Sequence, residues 1–133
     1  MLNGSLFFLV DLLRRLPPDY RVECWRITSY RGKKSAGLQG LDQLRHDFKG
    51  CHVLIVDDVL DTGLTLSEVR KRVLQGGAVS AEICVLLRKS GAQIRPVTAR
   101  WIGFEIGNEF VIGYGLDLDG KFRGLKDILV LET

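Results

Sequence analysis

The acids Asp57, Asp58 and Asp61 stand where the apolar run of "VLIVDDVLDTGLTL", residues 53–66, gives way to a turn. In an open α/β sheet, ligands bind beyond the carboxyl ends of the strands. The pattern puts Asp57 and Asp58 at the end of a strand over residues 53–56. The turn Asp61-Thr62-Gly63-Leu64-Thr65 then leads into a helix. That helix's free N–H groups, with the Thr62 and Thr65 hydroxyls, suit a phosphate. Gly63 lets the backbone come close to the anion. The carboxylates do not suit the phosphate itself. They suit hydroxyl groups, a hard cation such as Mg2+, or a proton in transit. A sugar phosphate, with its phosphate at one end and a diol at the other, has the same polarity as this string. Each feature alone is ordinary turn or cap chemistry; the specificity lies in their order.

Several elements must position these groups. The β-branched run "CHVLIV" suits a strand buried on both faces of a parallel sheet. "LTLSEVRKRVLQGG" predicts a helix with Leu66, Val69, Val73 and Leu74 inward and Gly76-Gly77 as its stop. "AEICVLL" reads as a second buried strand, and strand–helix–strand implies a right-handed βαβ unit. "ARWIGFEI", "FVIGYGL" and "DILVLE" predict three more short strands. Upstream, Leu6, Leu9, Val10 and Leu13 repeat at helical spacing, with Pro17-Pro18 as the end. "RVECWRITSY" alternates as a strand from about Tyr20 to Thr28, and the polar "SYRGKKSAGLQG" after it reads as a loop.

The totals set outer bounds. A chain of 133 residues without repeat or linker is one domain, residues 1–133. An apolar share of 46% with 26% charged residues belongs to a soluble globular protein. The net charge of +3 comes with no Lys/Arg run, so nucleic acid is not indicated and small anions fit. Cys24, Cys51 and Cys84 form no CxxC pair and have no His at ligand spacing; they read as reduced thiols of a cytoplasmic protein. No apolar run nears the ~20 residues of a membrane span. "SLFFLVDLL", interrupted by Asp11 and preceded by no basic residue, reads as an amphipathic helix and not as a signal peptide.

The string at residues 53–66 resembles the phosphoribosyl-pyrophosphate (PRPP) motif of type I phosphoribosyltransferases. Within them the chain is similar to the hypoxanthine-guanine branch. The resemblance runs through "MLNGSLFFLVDLLRRL", Ser29-Tyr30, "LLRKS", "GFEI" and "FVIGYGLDLDGKFRGL", nearly the whole chain. It implies the type I phosphoribosyltransferase fold, a mostly parallel α/β sheet flanked by helices. It also implies purine salvage, in which hypoxanthine, and guanine with it, takes the 5-phosphoribosyl group of PRPP. The products are IMP or GMP and pyrophosphate, with Mg2+ as cofactor.

The resemblance also assigns roles to residues. Asp57 and Asp58 would hold the ribose hydroxyls and the metal. Asp61 would be the general base or acid near the purine N7, and with Thr62, Gly63, Leu64 and Thr65 would bind the 5-phosphate. Lys89 would contact the purine 6-oxygen, Phe110 would stack on the base and Val111 would read its edge through the main chain. Asp117 would be tied to the metal and the base-binding region. Arg123 and Asn3-Gly4 would meet pyrophosphate, and Ser29-Tyr30 would open a flexible loop that closes over the site. Small-molecule substrates, a homodimer or homotetramer and a cytoplasmic location are implied, with neither nucleic acid nor membrane as partner.

The chain departs from the family at two places. The family carries a helix and a strand ahead of the Asn3-Gly4 turn, whereas Met1 stands at the turn itself. An N-terminally shortened member with exposed neighbouring sheet positions is therefore expected. Gly107-Asn108 replace a proline and an acid, which implies altered loop stiffness without lost chemistry. Xanthine as acceptor, a PRPP- or nucleotide-binding regulator, and an inactive shortened homologue are the alternative readings.

Overall fold

The computed structural model describes residues 3–29, 38–44 and 47–132. In chain order its elements are α1 (Leu6–Leu13), β1 (Thr28–Ser29), β2 (Leu38–Gln39), a 3-10 turn (Leu41–Gln43), β3 (His52–Leu60) and α2 (Leu64–Gln75). β4 (Ser80–Lys89), β5 (Trp101–Ile106), β6 (Val111–Ile112) and β7 (Leu129–Val130) follow. β3, β4 and β5 form a parallel sheet in that order, while β1-β2 and β6-β7 are antiparallel pairs. The mostly parallel α/β architecture is thus present. Among the described residues, no helix is long and apolar enough to cross a membrane.

Hydrophobic periodicity accounts for the centre. Ala81, Ile83 and Val85 repeat at strand period and are buried, facing Leu66, Val69 and Val73 of α2 in one core that also takes in Ile55 and Leu60. Leu74, expected inward, is 42% exposed. Leu66, Val69 and Val73 share one stripe of the helix, and Leu74 falls on its flank. A second cluster joins Leu86 and Leu87 to Val111 and Leu116, with Phe8 of α1 and Ile128 packed against it. This cluster ties the N-terminal helix and the C-terminal hairpin to the sheet.

Three boundaries differ from expectation. β3 continues past Val56 to Leu60, so Asp57 and Asp58 lie within the strand. Its ladder with β4 pairs Asp57 with Val85 and Val59 with Leu87, and that pairing outweighs the low strand preference of aspartate. The strand expected from Tyr20 to Thr28 shrinks to Thr28–Ser29, and residues 21–27 are irregular. Alternation makes a strand only where a neighbour takes its ladder bonds. Among the described residues only Leu38–Gln39 does so. Trp25 is held instead by side-chain packing, edge-on to Phe48 with centroids 6.0 Å apart. The last two expected strands are reduced to the two-residue β6 and β7, with isolated bridges Gly113–Leu116 and Leu118–Lys121 in the segment between them.

α1 buries no residue fully, and its last turn is closed by the Tyr20 hydroxyl, which donates to the Leu13 carbonyl at 2.8 Å. Among the described residues no strand pairs with the far edge of β3. Beside that edge lies a largely apolar groove of about 520 Å³ whose lining includes Leu9, Leu13, Tyr20, Trp25 and Leu54. Leu54 is 40% exposed there.

Candidate functional site

The register of the parallel sheet creates the site. Leu60 pairs with Arg88, so the next residue along each segment, Asp61 and Lys89, stands at one level. There Lys89 Nζ lies 3.8 Å from Asp61 Oδ2. Lys89 is mostly buried and Asp61 is partly open to solvent. A cation and a carboxylate from two sequence-distant segments thus face one space at the carboxyl end of the sheet.

Behind Asp61 the chain turns through Gly63, in the left-handed region at φ 78°, into α2. No side chain caps this helix and no acid stands in its first turn. Leu64 N has only a 3.5 Å approach to Thr62 Oγ1. The leading amides therefore keep their donor capacity and the positive end of the helix dipole for an anion. The turn is stapled from outside. The Thr62 carbonyl accepts from Ile94 N at 3.0 Å and from Arg95 N at 3.1 Å. The sequence carries no side-chain signal for this clasp, since both donors are main-chain groups.

Asp57 and Asp58 occupy consecutive positions of β3, and their carboxyl groups interact directly. Asp57 is buried, and burial pushes its carboxyl up to about 8 from an ordinary 3.8, helped by the charge of the adjacent Asp58. Asp58 accepts from the Val59 amide at 3.0 Å through Oδ1. Its Oδ2 lies against Gly4, where a Cβ would run into the carboxylate. The Asn3-Gly4-Ser5 turn that starts α1 is therefore seated on the strand acid.

The C-terminal segment closes the circle. The main chain of Gly115 lies against the Gly4 carbonyl, so closely that a Cβ on Gly115 would overlap that oxygen. The Gly115 carbonyl accepts from Arg123 NH1 at 2.7 Å. Arg123 NH2 pairs with Asp117 Oδ1 at 2.8 Å, and Asp117 Oδ2 accepts from Gly120 N at 2.7 Å. Both Asp117 oxygens are thereby engaged within the loop. Val111 is buried against the Leu86–Leu87 cluster, and Phe110 is 45% exposed with its carbonyl accepting from Leu131 N.

The fold therefore brings Asp61 to Lys89, and joins Asn3-Gly4 to Asp58, Arg123 and Asp117. Ser29 lies in β1, and Tyr30 falls outside the described residues. Three contributors escaped the sequence reading: the Ile94–Arg95 clasp, Gly115 and the Asp11–Tyr114 hydrogen bond. Only the last left a trace, as the single acid interrupting the apolar run of α1.

Such an arrangement can do specific chemistry. The α2 amides suit a phosphate monoester, the strand acids suit a diol, and the Asp61–Lys89 pair suits a planar ligand with an acceptor atom beside a proton-bearing nitrogen.

Residues 1–119 match the phosphoribosyl transferase domain family. The chain is 38% identical over 134 aligned residues to a hypoxanthine-guanine phosphoribosyltransferase of Mycobacterium tuberculosis, covering 99% of this chain and 66% of that protein. It is 38% identical to the hypoxanthine phosphoribosyltransferase of Haemophilus influenzae, covering 99% of this chain and 76% of that one. The chain thus spans just under two thirds of the mycobacterial relative. Among solved structures, the hypoxanthine phosphoribosyltransferase of Trypanosoma cruzi in complex with the product IMP superposes with a TM-score of 0.86 at 38% identity. That likeness covers 98% of this chain and 71% of the trypanosomal one.

Proposed function

The chain belongs to the phosphoribosyl transferase domain family, and on that footing we propose that it transfers the 5-phosphoribosyl group of PRPP to hypoxanthine and guanine. The products are IMP or GMP and pyrophosphate. The observation that carries this reading is the Asp61–Lys89 pair at the common end of two parallel strands. A 6-oxopurine offers an acceptor to Lys89 while its N7 proton lies within reach of Asp61.

Each residue has a physical task. The amides of residues 62–65 and the Thr62 and Thr65 hydroxyls bind the 5-phosphate at the start of α2. Asp57 and Asp58 hold the ribose diol. Asn3-Gly4 and Arg123 meet pyrophosphate, while Phe110 stacks on the base and the Val111 main chain reads its edge. The Asp117–Arg123 ion pair holds that arginine in place. Asp61 takes the proton from the purine nitrogen as the bond to C1 forms, and Lys89 steadies the charge on the 6-oxygen. Holding base and sugar in line supplies the remaining advantage by positioning.

The donor set fits Mg2+. The ion takes one or two carboxylates plus substrate oxygens, and Asp57 and Asp58 are adjacent hard donors. Asp57 and Asp58 would hold the ion, which would take its remaining oxygens from substrate. When bound, it would neutralise charge growing on the pyrophosphate. A homodimer or homotetramer belongs to the same reading, and exposed Trp101, Phe104, Leu129 and Val130 offer apolar surface for it.

The test is incubation with PRPP, Mg2+ and each of hypoxanthine, guanine, xanthine and adenine. IMP and GMP are expected, and adenine should be refused because its amino group offers Lys89 no acceptor. Nucleotide formation with none of the four would reject the reading.

A further inference from the structure

We propose that Tyr114, held by Asp11, is a positioning residue for the Asn3-Gly4 turn and thus for the pyrophosphate end of the pocket. This rests on the reading above that Asn3-Gly4 and Arg123 meet pyrophosphate. Tyr114 has a φ of 52°, in the left-handed region where a bulky side chain is an outlier. Such a conformation persists where the surroundings over-determine it, and it points to function. Here the surroundings are specific. The Tyr114 hydroxyl donates to Asp11 Oδ2 at 2.5 Å, and its ring meets Phe7 with centroids 6.2 Å apart. The Tyr114 amide donates to the Leu125 carbonyl at 2.8 Å.

Asp11 and Phe7 both lie on α1, the helix that the Asn3-Gly4-Ser5 turn begins. The backbone bend at Tyr114 delivers Gly115, at φ 99°, face to face with the Gly4 carbonyl. Gly115 is also bonded twice to Arg123, its amide donating to the Arg123 carbonyl at 2.9 Å and its carbonyl accepting from NH1 at 2.7 Å. One dipeptide therefore fixes both members of the pyrophosphate set relative to each other. The hydroxyl–carboxylate bond is the side-chain link that locks this dipeptide to α1. Asp11, alone in the apolar run, acquires a task 103 residues distant in sequence.

The test uses Tyr114→Phe, Asp11→Ala, Asp11→Asn and the double variant Tyr114→Phe/Asp11→Ala in the full chain. Each is titrated calorimetrically with inorganic pyrophosphate and Mg2+, and assayed for the KM of PRPP and of hypoxanthine. Tyr114→Phe and Asp11→Ala are each expected to raise the pyrophosphate Kd and the PRPP KM about ten-fold, the order carried by a hydrogen bond to a charged group. The hypoxanthine KM should stay within about two-fold, and the double variant should be no worse than either single one. Asp11→Asn, which keeps an acceptor for the hydroxyl, should fall between wild type and Asp11→Ala. If Asp11→Asn alone folds, a rise in its pyrophosphate Kd with hypoxanthine unmoved supports the proposal, and no rise overturns it. A folded Tyr114→Phe with unchanged pyrophosphate binding overturns it equally. So does a parallel loss for pyrophosphate and hypoxanthine, the mark of a merely structural bond. Wild-type turnover with unaffected variants sinks this inference alone, whereas a wild type that neither forms IMP nor binds pyrophosphate takes the functional reading down with it.

Discussion

Asp61 and Asp57 sit four residues apart on one segment and are given different work by their surroundings. Asp61 is partly solvent-open and faces Lys89, so its carboxylate oxygens stand where a substrate proton can reach them. Removing that capacity in Asp61→Asn is expected to lower kcat by about 10²–10⁴ with little change in the KM for PRPP; steady-state kinetics with hypoxanthine checks it. Asp57 is buried, and its folded-state value of about 8 lies above the ordinary 3.8. The folded protein therefore keeps a proton that the unfolded chain gives up between about pH 4 and pH 8. Its stabilising share is whole below about pH 4 and is lost as pH rises through about 8. Urea titrations from pH 5 to 9 should show the ligand-free protein weakening with pH, and Asp57→Asn should flatten that slope. At this scale the sequence was informative wherever chemistry depends on an ordered string, as in Asp57 to Thr65. Lys89 was different: in sequence it is a lysine after a strand, and its pairing with Asp61 exists only through the parallel register. The Ile94–Arg95 clasp was illegible because main-chain donors leave no residue type to read.

At the scale of elements, α2 is the helix whose leading amides are proposed to bind the 5-phosphate, and its apolar stripe anchors that turn to the core. Its stripe of Leu66, Val69 and Val73 is buried, whereas Leu74 is not. Leu66→Ala should cost about 2–5 kcal/mol by chemical denaturation, since it leaves a cavity against the sheet. Leu74→Ala should stay within about 0.5 kcal/mol, as befits an exposed position. Equal losses at both positions would contradict the orientation. Helical and strand periodicity located α1, α2, β3, β4 and β5. Periodicity failed between residues 20 and 28, where an alternating pattern had, among the described residues, no ladder partner over most of its length. It also placed the end of β3 too early, because two aspartates look like a strand end until β4 is seen to pair beside them.

For the whole molecule, the site is assembled from both ends of the chain. Gly4 sits on Asp58, Gly115 on Gly4, and Tyr114 is bonded to Asp11. No local pattern reports such contacts: the proposed pyrophosphate roles of Asn3-Gly4 and Arg123 follow from a family resemblance, whereas the ordered string from Asp57 to Thr65 carries its own chemistry. A ligand spanning these segments should stabilise all of them together. PRPP with Mg2+ at a hundred times its Kd is expected to add about 2.7 kcal/mol and raise Tm by several degrees; differential scanning calorimetry with and without ligand checks it. A dimer or tetramer is expected by light scattering in the same buffer, and a single-chain mass would reject that assembly.

The most direct measurement is a crystal structure of the chain with PRPP and Mg2+. The 5-phosphate oxygens are expected within hydrogen-bond distance of the amides at residues 62–65, the ribose diol at Asp57 and Asp58, and pyrophosphate between Asn3-Gly4 and Arg123. Density for the sugar phosphate elsewhere, with the first turn of α2 bonded to none of its oxygens, would contradict that placement.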